Sequence, residues 1–445
     1  FYSRNSNRVV LKRKVAFHTL GCKLNFAETS TIARTFPEEK FERVSANSHA
    51  DIYVINTCTV TDAADRKCRQ AVRKFIHRNP DAFIAVMGCY AQLRQEEAAA
   101  IEGVDLVLGT YEKFDIASYI DNIEKHTPPE IHSCERIDTG DFISSWSAGE
   151  RTRSFLKVQD GCDYHCSYCT VPLARGDSRN PPIASVVSEA REIVESGVKE
   201  IVMTGVNVGD FGKSTGETLE QLLMELVRVE GLQRLRLSSI EPNLMTDPIL
   251  DLMASGKVLL PHIHMPLQSG SDRILGLMRR RYRREVFRDR VLSIREKLPH
   301  AGIGADVIVG FPGETEEDHA DTYSFLESLP LSYLHIFAFS PRPGTPAAGM
   351  PGRVSKQEKE KRSRQLIKLS ESRRIQFMRN ALGTVHDVLL EKRGPDGMVA
   401  GLTGNYIRVM IPWEKGLPGS IRQVRLTTLR DDASMNGELT DRRAL

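Results

Sequence analysis

Three cysteines in one short loop restrict this chain more than any other feature. Residues 158–176 read VQDGCDYHCSYCTVPLARG and set Cys162, Cys166 and Cys169 in a C-x3-C-x2-C spacing. Thiolates are soft, anionic ligands that hold iron–sulfur clusters. Three on one loop can grip three corners of a [4Fe–4S] cube and leave the fourth iron open to a substrate or cofactor. The alternatives are three ordinary buried cysteines, or part of a zinc site. A tetrahedral zinc site wants a fourth ligand at a fixed spacing, and His165, beside Cys166, is poorly placed to chelate.

The 445 residues are enough for two or three domains with real cores. A net charge of +3 means that a nucleic-acid partner would have to meet a local basic patch. No apolar run is long enough to span a bilayer. The basic-then-apolar stretch 8–22 is short and broken by His18, so neither a signal peptide nor a membrane partner is expected. Eight cysteines in so long a chain do not make a disulfide scaffold. A thiolate-held cluster needs a reducing compartment, so a cytoplasmic location is expected.

Residues 14–120 alternate strand and helix. Apolar strands are expected near 14–20, 50–57, 81–89 and 104–110, with helices near 26–35, 62–77, 91–101 and 112–124. Such alternation implies a parallel sheet with helices on both faces. Ligands of these sheets collect outside the carboxyl ends of the strands. Cys22, Cys58 and Cys89 fall at three such ends, where they would form a second three-thiolate site. Taken singly, each could equally be a buried structural cysteine. Cys68, inside a basic helix, and Cys134, in a loop-like stretch, are read as unligated.

Residues 121–152 lose periodicity and read as a linker. From Arg153 the rhythm resumes, with strands expected at 154–159, 198–204, 233–238, 260–265, 302–309 and 332–339. Six βα units suit an open, partial barrel with its chemistry at the strand C-termini. That places Thr204, Gly205, Asn207, Ser238, Ser239, Glu241, His264, Gln268, Asp306, Phe337 and Phe339 around the cysteine loop. Cap or turn hydrogen bonds would account equally well for any one of the polar residues. The run MRRRYRREVFRDR (278–290) reads as helix, either a solvated face or an RNA contact through Arg281 and Tyr282. Residues 383–430 switch to short strands divided by GPDG and GLPG, which implies a small antiparallel barrel followed by a polar tail, 431–445.

The cysteine loop, with Tyr168 just before Cys169, resembles the signature of the radical S-adenosylmethionine (SAM) enzymes. GCKLN (21–25), NTCTV (56–60) and MGCY (87–90) resemble the N-terminal domain of the methylthiotransferases within that superfamily. The C-terminal strands look like a TRAM domain, an OB-like barrel that binds RNA. The resemblance implies an α/β protein of three parts: a parallel-sheet domain (1–145), a partial (β/α)6 radical SAM barrel (146–378) and a TRAM barrel (379–445). It implies two [4Fe–4S] clusters, an auxiliary one on Cys22, Cys58 and Cys89 and a radical SAM one on Cys162, Cys166 and Cys169. SAM contacts are expected from Tyr168, Thr204, Gly205, Asn207, Ser239, Glu241, Gln268 and Phe339. Substrate or RNA contacts are expected from Lys23, Arg175, Arg179, Arg281, Tyr282, Arg393, Tyr406 and Arg408.

The family's reaction places a methylthio group on an unactivated carbon, using one SAM as methyl donor and a second as radical source. Three branches differ in substrate: N6-threonylcarbamoyladenosine in tRNA, N6-isopentenyladenosine in tRNA, and an aspartate of a ribosomal protein. VAFHTLGCKLN, VPLARGDSR and TGVNVGDFG resemble the first branch. Its product would be C2-methylthiolated threonylcarbamoyladenosine at position 37, its partners a tRNA anticodon stem-loop and a low-potential flavodoxin- or ferredoxin-type electron donor, and its state a monomer. The carboxylate of a threonylcarbamoyl group would welcome Arg or Lys, for which Lys23, Arg175 and Arg179 are candidates. Two alternatives stand beside this: a non-catalytic iron–sulfur RNA-binding sensor, and a radical SAM enzyme that inserts sulfur without the methyl group.

Overall fold

The computed structural model describes residues 12–59, 62–120, 125, 128–134, 142–149, 152–394 and 396–440. It divides into two compact units, the first of 1–139, 145–147 and 170–176, the second of 140–144, 148–169 and 177–445.

In the first unit, β1 (Arg13–Thr19), β2 (Phe41–Val44), β3 (Ile52–Thr57), β4 (Phe83–Gly88), β5 (Leu106–Leu108) and β6 (Glu130–His132) form one sheet in the order β2-β1-β3-β4-β5-β6. Every pairing in it is parallel. β3 and β4 are buried at every position, as unbroken apolar runs require when both faces are covered. Alternate residues feed two cores: Tyr53, Ile55, Ile84 and Val86 on one face, Ile52, Val54, Phe83 and Ala85 on the other. β2 and β6 are additions to the expected strands; both are short and polar, and both lie at sheet edges. The expected helix near 112–124 is reduced to a 3-10 turn, Glu112–Asp115, and one helical turn, Ile116–Tyr119. Its last part, and nearly half of the expected linker, lie outside the described residues.

In the second unit, β7 (Arg153–Lys157), β8 (Glu200–Thr204), β9 (Arg234–Leu237), β10 (His262–Gln268), β11 (Gly302–Val309) and β12 (Tyr333–Ala338) are the six expected βα strands. They form two parallel sheets, β7-β8-β9 and β10-β11-β12. A bridge between Ser239 and His264 joins them into one open curved wall. Helix is expected from the sequence over 271–298, continuous or broken, and the structure has two helices there, Asp272–Leu277 and Arg284–Lys297. Arg279 at φ 57° breaks it, in the left-handed region that a side chain rarely enters.

β13 (Val385–Arg393), β14 (Met398–Thr403), β15 (Arg408–Pro412), β16 (Ile421–Leu429) and β17 (Met435–Leu439) close a barrel in the order β13-β14-β15-β17-β16. The expected polar tail therefore supplies a barrel strand, β17, with Met435 fully buried. The turn between β14 and β15 packs against the amino ends of the βα strands. Arg236 donates to the carbonyls of Gly404 (2.9 Å) and Thr403 (3.3 Å), and Tyr406 stacks on His262 with centroids 4.3 Å apart. A Cβ at Gly302 would overlap the Asn405 carbonyl, so β11 needs glycine there.

Candidate functional site

The order β2-β1-β3 puts a topological switch between β1 and β3, and Cys22 and Cys58 flank it at the strands' carboxyl ends. Cys89 follows β4, next in the sheet. Glycine precedes two of the three cysteines for a steric reason. Gly21 (φ 106°) would bring a Cβ to 2.5 Å from the Cys58 Cβ, and at Gly88 (φ 97°) a Cβ would overlap Asn56. Asn25 donates to the carbonyls of Leu20 (2.8 Å) and Thr57 (2.9 Å), tying the ends of β1 and β3 together beside Cys22.

A buried charge network lies under this site. Arg175 donates to Glu28 (2.9 Å) and to Asn25 Oδ1 (2.9 Å), and Lys113 Nζ is 2.5 Å from the other Glu28 oxygen. Lys113 is fully buried and Glu28 is 1% exposed. Burial pushes the Lys113 ammonium down, and Glu28 opposes that shift. Two cations against one carboxylate leave a net positive charge beside three sulfurs, which suits an anionic thiolate-held group. Arg175 thus sits with Glu28 and Asn25 beside Cys22. The network escaped sequence reasoning because Lys113 and Glu28 are 85 positions apart. Cys68 is packed in the sheet core and pushed up to about 12 by burial, and exposed Cys134 bonds to Glu112; neither joins the three.

In the second unit, the loop after β7 carries Cys162, Cys166 and Cys169. Gln159 braces it, donating to the Gly161 carbonyl (2.9 Å) and Ser178 (2.9 Å) and accepting from the Asn207 amide N–H (2.9 Å). Donors aim at the sulfurs: Tyr164 N–H at Cys162 (3.4 Å) and Arg280 Nη1 at Cys166 (3.2 Å). Hydrogen bonds to cluster sulfurs tune reduction potential. Burial pushes the Cys162 thiol up to about 11, so a cation must accompany its thiolate. Arg280 also pairs with buried Glu241 and donates to Tyr282 (3.1 Å).

Several expected SAM residues gather around this loop. Among the described residues, Asn207 is 5% exposed with neither side-chain amide atom hydrogen-bonded, and the Ser238 hydroxyl is likewise buried without a partner. Such orphaned groups fit a polar ligand that supplies the missing bonds. A Cβ at Gly205 would lie 2.9 Å from Gln159 Oε1. Gln268 ends β10 at φ 72°, next to a register shift, the kind of strain that clusters at ligand sites. Tyr168 and Phe339 pack around Phe311, and Thr204 is buried at the end of β8. Ser239 bonds to His264 Nδ1 (2.8 Å), and burial pushes the Glu241 carboxyl up despite Arg280.

The expected substrate and RNA residues are scattered. Tyr282 is 5% exposed and bonded to the Pro266 carbonyl, because its turn folds inward instead of continuing a helix. Arg281 lies 3.9 Å over the Tyr164 ring and donates to the Asp163 carbonyl. Arg179 pairs with Asp160 (3.1 Å). Lys23 opens helix Lys23–Arg34 directly after Cys22. Arg393 covers Trp413 (4.7 Å), and Arg408 is exposed at the start of β15.

The comparisons with known proteins agree with this geometry. The Radical SAM superfamily matches residues 156–326, the class to which the open barrel and its cysteine loop point. An uncharacterized protein family, UPF0004, matches residues 14–109. In structure, the chain is similar to the radical S-adenosylmethionine methyltransferase TsrM of Kitasatospora setae, with a TM-score of 0.54 at 17% identity over 76% of this chain and 77% of that one. In sequence, it is 39% identical to the threonylcarbamoyladenosine tRNA methylthiotransferase MtaB of Bacillus subtilis over 93% of each chain. It is 40% identical to the Aquifex aeolicus protein of the same name, over 82% of this chain and 89% of that one. A tRNA-2-methylthio-N(6)-dimethylallyladenosine synthase of Akkermansia muciniphila is 31% identical over 93% of this chain and 96% of its own length. The chain belongs to the MtaB-like radical SAM methylthiotransferases. Membership implies SAM and [4Fe–4S] clusters as cofactors.

Proposed function

We propose that this protein places a methylthio group on C2 of N6-threonylcarbamoyladenosine at position 37 of tRNA. The observation that carries the reading is the cysteine loop of the second unit, with hydrogen-bond donors aimed at its sulfurs and buried partnerless polar groups beside it. In this reading Cys162, Cys166 and Cys169 hold one cluster, and Cys22, Cys58 and Cys89 hold the auxiliary one. When bound, these clusters and SAM supply the radical and sulfur chemistry that an unactivated C–H bond requires.

The chain's own residues bind, orient and insulate. Arg280 bonds Cys166 while neutralising Glu241. Asn207 and Ser238 offer their unspent polar atoms to SAM. Arg175 and Lys113 hold positive charge beside Cys22 and Cys89. The C-terminal barrel takes the tRNA backbone, with Arg393 and Arg408 among its cations. A low-potential flavodoxin or ferredoxin in the cytoplasm serves as donor, and the protein acts as a monomer; no described helix is long and apolar enough to cross a membrane.

Expression in Bacillus subtilis lacking its own MtaB tests the reading. Hydrolysed tRNA should regain 2-methylthio-N6-threonylcarbamoyladenosine. Persistent unmethylthiolated threonylcarbamoyladenosine, alongside newly methylthiolated isopentenyladenosine, would move the chain to the other tRNA branch.

A further inference from the structure

The inner face of β10, β11 and β12 carries three polar side chains, His264, Asp306 and His335, to which the cluster and SAM sites assign no role. Strand register brings Asp306 opposite His335, and Ile308 opposite Phe337. His264 Nε2 lies 3.1 Å and His335 Nδ1 3.3 Å from the same Asp306 oxygen. Ser239 fixes the other nitrogen of His264 at 2.8 Å. Gly304 is part of the arrangement: a Cβ there would overlap the Tyr333 ring, which packs against both His264 and His335. The free edge of β12 is taken, since the Leu334 N–H and carbonyl both bond Ser370 of helix Lys356–Arg379.

From inside to edge, exposure rises along this cluster. The side chains of His264, Asp306 and His335 are 11%, 20% and 54% exposed, and Phe337, two residues on, is 45% exposed. His335 Nε2 has no hydrogen-bond partner among the described residues. An open imidazole braced by a half-buried carboxylate stands next to an exposed aromatic ring. Ser239, bonded to His264, lies two residues before Glu241, which pairs with Arg280 at Cys166, so the loop after β9 links the cluster to the radical SAM loop. Meanwhile Arg175 and Arg179, the cations expected to meet a substrate carboxylate, are paired with Glu28 and Asp160.

Resting on the functional reading above, we propose that His335 reads the carboxylate of the threonylcarbamoyl group and that Phe337 is the stacking surface for the adenine bearing it. To bridge two carboxylates the imidazole donates to Asp306 through Nδ1 and to the incoming group through Nε2, which uses a proton on each ring nitrogen. The base must leave the anticodon-loop stack to be modified, and an exposed aromatic face offers it a replacement. Asp306, His264 and Ser239 are positioning residues: they fix the ring plane and leave Nε2 pointing at the ligand.

The test uses the full chain with both clusters reconstituted and two synthetic anticodon stem-loops. One carries threonylcarbamoyladenosine, the other the same nucleoside with its carboxylate converted to the amide. Wild type should favour the acid by about ten-fold or more in kcat/KM, mainly through KM, and His335→Gln should abolish that preference. Phe337→Ala should raise KM for both stem-loops by about ten-fold. Equal treatment of acid and amide by wild type overturns the proposal, with no dependence on how any variant folds. So does a preference that survives in His335→Gln. Three ligand atoms within 4.8 Å could also hold a divalent ion; one zinc or manganese per chain beyond the iron, lost in His335→Gln, overturns it too. A wild type that modifies neither stem-loop removes the functional reading and this proposal together.

Discussion

Arg280 stands in a run of arginines that composition alone assigns to solvent, yet it is 4% exposed and bonded to Cys166, Glu241 and Tyr282. Removing one partner of a buried pair leaves the other charge unpaired, which costs about 3–5 kcal/mol. Arg280→Met should therefore lose about that much stability by denaturant titration, and should shift the potential of the cluster on Cys166. An unaltered potential would mean that Arg280 serves folding alone. Asp306 gives a pH-dependent counterpart. Burial pushes its carboxyl up, but the imidazoles of His264 and His335 beside it prevail and hold it at about 2. Stability from a depressed carboxyl is complete above about pH 4 and is lost as pH falls through the native value. Asp306→Asn should cost ~2 kcal/mol near neutrality and flatten the acid limb between about pH 4 and pH 2. An acid limb identical to wild type would contradict the pairing.

At the scale of elements, the close approach at Gly302 joins the C-terminal barrel to β11. Gly302→Val should push the β14–β15 turn off its seat, at about 1–3 kcal/mol, and make the connection after helix Lys356–Arg379 more sensitive to limited proteolysis. A cleavage pattern like wild type would show that the turn is not a fastening. What could be read beforehand at this scale followed from hydrophobic period. β3 and β4 are unbroken apolar runs, and the βα units of the second unit repeat a clear alternation. β2 (FERV), β6 (EIH) and β17 (MNGEL) lack it, since edge or barrel pairing forms them with little apolar signal of their own. The position of the break, Arg279, was hidden for another reason: an arginine run has high helix propensity, and burying the Arg280 and Tyr282 side chains is a tertiary effect.

Across the whole molecule, each compact unit carries one set of three cysteines, and the cysteines were the part of the site legible from sequence, because few residue types are soft ligands. The groups around them were not, since Lys113 with Glu28, and His335 with Asp306, meet only once distant segments pack. The two sets should be separable. Replacing Cys22, Cys58 and Cys89 with alanine should remove roughly half of the iron while SAM cleavage persists, and replacing Cys162, Cys166 and Cys169 should abolish cleavage. Loss of cleavage in both variants would contradict the division of roles.

The central claim is most directly met by mass spectrometry of nucleosides from threonylcarbamoylated tRNA incubated anaerobically with the reconstituted protein, SAM and dithionite. The account predicts that threonylcarbamoyladenosine gains one methylthio group while 5′-deoxyadenosine accumulates. Formation of 5′-deoxyadenosine with threonylcarbamoyladenosine unchanged, or carrying sulfur without the methyl group, would contradict it.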